Sequence, residues 1–460
     1  MTGWLTAMFA AVVSGMAIRR GWGLRPVWWL AWLAPLPLLL LAATTPLWQL
    51  GIVALLAGLI GYGGNFSYFR TIMPLGTALT TVMMLACGLA LLLLAQQILS
   101  AALPAPLAVF AWPLALVSLE ATVARLSPHG DAVTLATTQA DLTPLVQIAA
   151  VFGLRGIVFA LGLGSAWLAL LLQVIWHGDQ DQIPALCIPP LMLVTAFAYG
   201  MTRLRRPAAT AATTVTLAVR DIDNPADAAS RTQLLAAYTH ALTNTPMHGL
   251  IVLPEKLLLS DTDADQAFRS LARSRHSTVV VGFEHAQDNG LHNIARVYQA
   301  DGSTTDYAKR CLVPGWEDGL VAGKRPVVSP SPQGQIALAV CRDLFFATST
   351  RDYAPPAAEA LVVPAWDFGG DGWVRSRLAV LRGVECGLPV LRSARNGLLT
   401  ISDPYGRIIA EAPSNPEMAI VSSPLPASLA IPTAYTRWGR HFEWLCLLLT
   451  AGLLVAGLQH

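Results

Sequence analysis

The chain has 460 residues, 54% hydrophobic and only 13% charged, and its mean hydropathy is +0.52. Soluble domains run near a quarter charged, so this composition excludes an ordinary soluble protein and puts a large part of the chain in lipid. The net charge of +2 excludes the electrostatic footprint of a nucleic-acid binder. Six scattered cysteines, none in a CxxC pair, exclude a disulfide framework and a thiolate zinc or redox motif.

In chain order, apolar runs predict membrane spans near Trp4–Ile18, Val27–Ala42, Leu47–Phe66, Thr77–Leu99, Pro104–Ala121, Leu145–Val174 and Ile183–Gly200. Several are short against the roughly 20 apolar residues that a bilayer needs. No small-residue cleavage site follows the first run, which therefore reads as a span and not a cleaved signal. Glu120 lies in or at the end of a span; an ionisable group there marks either a function or a headgroup-facing end. A last apolar run, Phe442–Leu458, brings the expected total to eight spans. The expected division is a membrane domain over 1–206, a soluble domain over 207–435 and a final span over 436–460.

Between Arg206 and Pro432 strand-like runs appear at Thr214–Ala218, Gly249–Leu253, Thr278–Val281, Ile336–Val340, Ala360–Val363, Leu388–Leu391, Leu398–Ile401 and Met418–Val421. Helical spacing lies between them over Arg231–Thr243, Asp265–Arg273 and Trp373–Gly383. The alternation predicts a layered α/β domain with buried strands.

Three reactive groups follow such runs. Val252-Leu253-Pro254-Glu255 delivers a carboxylate, Tyr307-Ala308-Lys309-Arg310 an ammonium, and Ile336-Ala337-Leu338-Ala339-Val340-Cys341 a thiol. In α/β sheets the carboxyl ends of strands gather ligands and reacting groups. Together the three suit nucleophilic chemistry. Cys attacks as thiolate, Lys lowers its pKa and steadies a tetrahedral oxyanion, and Glu carries the proton. Taken singly, each has a plainer reading: a small buried hydrophobe for the cysteine, solvated rim charges for the other two. Spacing alone does not bring them together. Cys311 and Cys386 read as packed thiols, and Lys256 and Lys324 as solvated side chains. The run Gly319-Leu320-Val321-Ala322-Gly323-Lys324 lacks the spacing and hydroxyl of a phosphate loop. Nine histidines show no metal-ligand spacing, and no cofactor is expected.

The order Glu255–Lys309–Cys341, with Leu312-Val313-Pro314 after the lysine, resembles the carbon–nitrogen hydrolase (nitrilase) superfamily. The segments Leu381–Gly397 and Asp403–Arg407 fit it too. The resemblance implies an α-β-β-α sandwich attached to the multi-span α-helical membrane domain. Seven spans, such a domain and a final span look like the apolipoprotein N-acyltransferase family, as do Gln147–Gly153 and Tyr435–Arg440. That likeness implies Cys341 as nucleophile, Glu255 as general base, Lys309 as oxyanion-side cation and Glu317 as supporting carboxylate. The partners it implies are a phospholipid acyl donor, a diacylated lipoprotein acceptor and membrane lipid, with no nucleic acid.

The chain departs from that family's pattern at several points. Cys-Tyr-Glu reads Cys341-Arg342-Asp343, so Asp343 keeps a supporting carboxylate while Arg342 either meets an anionic substrate or pairs with Asp343. Trp-Phe-Gly becomes Trp366-Asp367-Phe368-Gly369, leaving Trp366 as a possible substrate contact. Ser127-Pro128-His129-Gly130-Asp131 stands where Gly-Phe-Pro-Trp is expected, and His129 reads as a loop residue. These departures keep open a membrane-anchored amidase, in which water resolves the intermediate, and a scaffold without activity. The resemblance implies the bacterial inner membrane with the soluble domain in the periplasm. The positive-inside rule argues for the cytoplasm, since Arg19, Arg20, Arg25, Arg70, Arg125, Arg203, Arg205 and Arg206 all fall on the domain's side.

Overall fold

The computed structural model describes residues 2–178, 183–205, 213–222, 227–332, 334–354, 357–425 and 430–459. It contains two compact units, Met1–Arg203 with Trp438–His460, and Leu204–Arg437. The boundary expected at Arg206 lies outside the described residues.

The first unit is helical. Among the described residues five segments are long and apolar enough to cross a bilayer: Leu47–Ile72, Leu75–Ala102, Ala105–Leu126, Leu154–His177 and Ala185–Leu204. Helix Thr2–Gly21 ends on Arg19 and Arg20, and Trp28–Ala42 and His441–Gly457 are shorter apolar stretches. The expected second span is two helices, Trp28–Leu33 and Leu36–Ala42, interrupted around Pro35, which lacks the backbone donor a helix interior uses. The sixth starts at Leu154 and not Leu145. Gly153, at φ +68°, closes one short helix and opens the next, a conformation other residues reach at a cost. Glu120 is fully engaged: Arg155 Nη1 lies 2.6 Å from its Oε2, Thr134 Oγ1 donates at 2.8 Å and the Leu135 N–H at 2.8 Å. Arg155 also pairs with Asp131. Such pairing is the condition on which a charge is buried in an apolar unit.

The second unit is built on strands β1 (Thr213–Val219), β2 (Leu250–Val252), β3 (Leu258–Leu259), β4 (Thr278–Gln287), β5 (Gly290–Tyr298), β6 (Thr304–Ala308), β7 (Val328–Ser331), β8 (Gly334–Leu338), β9 (Ala360–Trp366), β10 (Val390–Arg395), β11 (Leu398–Ser402), β12 (Ile408–Pro413) and β13 (Ala419–Leu425). One sheet has the order β13-β1-β2-β4-β5-β6, with β3 beside β4; the other runs β12-β11-β10-β9-β8-β7. The central pairs β1–β2, β2–β4, β8–β9 and β9–β10 are parallel.

Side-chain alternation along these strands builds four layers. Val215, Leu217, Leu250 and Val252 of the first sheet meet Ile336, Leu338, Val362 and Leu391 of the second. On the outer face of the first, Ile251, Val279 and Val281 pack against Leu234 and Tyr238 of helix Ala228–Leu242 and Phe268 of helix Thr262–Arg275. On the outer face of the second, Ala337, Leu361 and Val363 pack with Ala379 and Cys386 of helix Gly372–Cys386. Strands covered on both faces are continuously apolar in sequence, as β2 and β9 are. The unit is an α-β-β-α sandwich.

Candidate active site

Backbone geometry at three strand ends sets the site. After β2 the chain turns through Pro254 to Glu255, lying over β4 at Gly282. The Gly282 N–H donates to Pro254 O at 3.1 Å, and the Leu257 N–H donates to Gly282 O at 2.8 Å. A Cβ at position 282 would stand 2.5 Å from both Glu255 Cα and Pro254 O, so only glycine permits this approach. Lys309 stands one residue beyond β6, and its N–H donates to Asn293 O on β5 at 2.8 Å. Strand β8 ends at Leu338, short of the cysteine where it was expected to stop. Cys341 instead opens a 3-10 turn, Cys341–Phe345, at φ +43°, a left-handed conformation rare outside glycine.

Asp343 holds that turn. Its carboxylate accepts the Val340 N–H at 2.9 Å, the Tyr307 hydroxyl at 2.7 Å and the Cys311 N–H at 2.8 Å. It thereby ties the thiol-bearing turn to the segment that carries Lys309. Arg342, weighed above as its ionic partner or as a substrate contact, is buried; its guanidinium donates to Leu312 O and lies 5.3 Å from the Phe346 ring centroid.

Glu255, Lys309 and Glu317 meet in one buried cluster, 3%, 1% and 4% exposed. Lys309 Nζ lies 2.7 Å from Glu255 Oε1 and 2.8 Å from Glu317 Oε2. The Asn293 amide donates to Glu255 Oε1 at 2.6 Å and to Glu317 Oε1 at 2.7 Å. Lys256 Nζ reaches Glu317 Oε1 at 3.1 Å and Glu284 Oε1 at 3.2 Å. Lys256, expected in solvent, is therefore part of the cluster, whereas Lys324 is exposed. The Cys341 thiol donates to the Trp366 carbonyl at 3.5 Å. The Trp366 ring is half-buried, with the Arg395 guanidinium 4.0 Å from its centroid.

Burial and the Glu255 carboxylate push the Cys341 thiol up, and the Lys309 ammonium opposes them. Burial disfavours the Lys309 ammonium, but Glu255, Cys341 and Glu317 outweigh it and hold the proton more firmly than usual. Burial likewise disfavours the Glu317 carboxylate, yet Lys309, then Lys256 and the Val313 N–H, hold it down at about 2. Burial pushes Cys311 up to about 11 and Cys386 up to about 12.

Sequence reasoning missed Asn293, which bridges the two carboxylates. Its only signal was a strand-averse residue in the mixed stretch Leu291-His292-Asn293-Ile294-Ala295-Arg296. It also missed the buried Arg392–Asp367 ion pair on the residue after Trp366. Burial pushes Asp367 up to about 6, against the pull of Arg392.

The carbon–nitrogen hydrolase family matches residues 217–431. The apolipoprotein N-acyltransferase of Geobacter metallireducens is 25% identical over 488 aligned positions, covering 95% of this chain and 92% of that protein. That of Chlamydia trachomatis is 27% identical over 212 residues, 37% of this chain, and the chain spans only 38% of that relative's length. Among solved structures, an amidase from Nesterenkonia sp. AN1 aligns with a TM-score of 0.42 at 20% identity, over 51% of this chain and 97% of that one. The second unit matches the carbon–nitrogen hydrolase family over most of its length, and the chain, which holds five helices long and apolar enough to cross a bilayer among its described residues, is similar to the apolipoprotein N-acyltransferases.

Proposed function

We propose that the protein is a membrane N-acyltransferase that moves an acyl chain from a phospholipid, through a thioester on Cys341, to an amino group. The observation that carries this reading is the buried Glu255–Lys309 pair set electrostatically against Cys341, in a chain that also holds apolar helices long enough to cross a bilayer. In the first half-reaction Glu255 takes the thiol proton and Cys341 Sγ attacks the ester carbonyl. The Lys309 ammonium stabilises the oxyanion. On collapse the C–O bond breaks, Glu255 returns the proton to the leaving alkoxide, and lysophospholipid departs. In the second, an amine attacks the thioester, Glu255 accepts the amine proton, and the amide product leaves as the thiolate is expelled and reprotonated.

Glu317 and Asn293 hold Lys309 and Glu255 in register, and Asp343 and Arg342 hold the turn at Cys341. Trp366 supplies the carbonyl that orients the thiol. The acceptor is the N-terminus of a diacylated lipoprotein, which places the domain on the periplasmic face of the bacterial inner membrane, against the argument from arginine placement. The test is incubation of purified protein with acyl-labelled phospholipid. The reading expects a hydroxylamine-labile label on Cys341 that Cys341→Ala abolishes. A label that survives in Cys341→Ala, or none in the wild type, contradicts it.

A further inference from the structure

Lys256 follows Glu255 directly, at φ +48°, a left-handed conformation that lysine seldom adopts. Both ends of the residue are fixed. Its carbonyl accepts from Arg395 Nη1 at 3.2 Å, and its ammonium lies 3.1 Å from Glu317 Oε1 and 3.2 Å from Glu284 Oε1. Glu317 therefore carries one ammonium on each oxygen, Lys309 on Oε2 and Lys256 on Oε1. Charge balance gives the arrangement a purpose. Three carboxylates, Glu255, Glu317 and Glu284, would face Lys309 alone without it, and the second ammonium cuts the net charge of the cluster from −2 to −1 beside a thiol that must become an anion.

We propose that Lys256 is a positioning residue of the acyl-transfer site, fixing the Glu317 carboxylate so that Lys309 stays directed at Glu255 and the Cys341 oxyanion. Without it, Glu317 keeps Lys309 and the Val313 N–H on Oε2 but only the Asn293 amide on Oε1, and the less firmly held carboxylate can turn and draw Lys309 with it. This rests on the reading of Lys309 as the oxyanion cation. The plainer role for Lys256 is a tether between its turn and β4 through Glu284, which is more exposed than Glu317.

The two roles separate in the full-length protein with three variants, Lys256→Met, Lys256→Arg and Glu284→Gln. Cys341 thioester formation from labelled phospholipid is measured as kcat and KM, and iodoacetamide alkylation of Cys341 is followed in parallel. Loss of positioning in Lys256→Met lowers kcat about 10- to 100-fold, the scale at which small misplacements act, with KM for phospholipid nearly unchanged. Lys256→Arg restores most of the rate, and Glu284→Gln stays near wild type. Equal losses in Lys256→Met and Glu284→Gln, or an unchanged kcat in Lys256→Met, overturn the proposal. If the wild type forms no thioester, the acyl-transfer reading fails on its own, and alkylation then decides. Slower alkylation in Lys256→Met than in Glu284→Gln supports the positioning role, and equal rates overturn it.

Discussion

At Cys341 burial and the Glu255 carboxylate favour the neutral thiol, whereas Lys309 favours the thiolate. The two neighbours are in direct contact with each other, so removing either changes the field at sulfur in a known direction. Lys309→Met removes the larger of two positive charges that favour the thiolate, the other being Arg392, so the pH profile of Cys341 alkylation moves to higher pH. Glu255→Gln removes a repelling charge, and the profile moves to lower pH. Both variants lose turnover, Lys309→Met by on the order of 10²–10³ from the lost oxyanion partner alone. Profiles that move in the same direction, or do not move, would show that neither group governs the thiol. Of these residues, Glu255 and Cys341 were legible because each follows an apolar run, whereas Lys309, after the mixed strand Thr304–Ala308, was legible through the order Glu255–Lys309–Cys341. Lys256 was not, because adjacency to Glu255 in sequence says nothing of where a side chain points from a left-handed backbone. Asn293 was hidden because its partners lie 38 and 24 residues away.

At the scale of elements, the site depends on how closely the turn after β2 approaches β4. Both contacts that a Cβ at Gly282 would make at 2.5 Å are to backbone, which cannot swing aside as a flexible side chain would. Gly282→Ala is expected to cost about 1–3 kcal/mol of stability, the range for overpacking. It should also lower the rate of Cys341 acylation, because Glu255 Cα must shift. Thermal unfolding and the acylation rate check this together; a variant that keeps both would mean that the turn accommodates a methyl group without moving the carboxylate. Strands β2 and β9 could be read from sequence because burial on both faces makes them continuously apolar. Strand β5 could not be read that way, since its polar positions, His292 and Asn293, face into the fold. Its turn was legible nonetheless: Asp288-Asn289-Gly290 sits at a two-residue hairpin in which Gln287 pairs with Gly290, and Asp301-Gly302 marks the turn into β6.

At the scale of the whole chain, the low charge fraction already required lipid. The helical unit bears this out with large apolar side chains exposed on its surface, among them Phe9, Trp48, Leu91 and Leu191. Helix ends were less legible than helix existence, because Pro35 and Gly153 interrupt runs that hydropathy alone reads as continuous. The central claim, that this chain transfers an acyl group and does not merely hydrolyse one, concerns the fate of the Cys341 thioester. The most direct measurement loads Cys341 with labelled acyl chain from phospholipid, removes the donor, and adds a diacylated peptide whose N-terminal amine is either free or acetylated. The account predicts that label passes to the free-amine peptide faster than to water, and that acetylation of the amine abolishes the transfer. Release of label as free fatty acid at the same rate with either peptide would contradict it and identify the enzyme as a hydrolase.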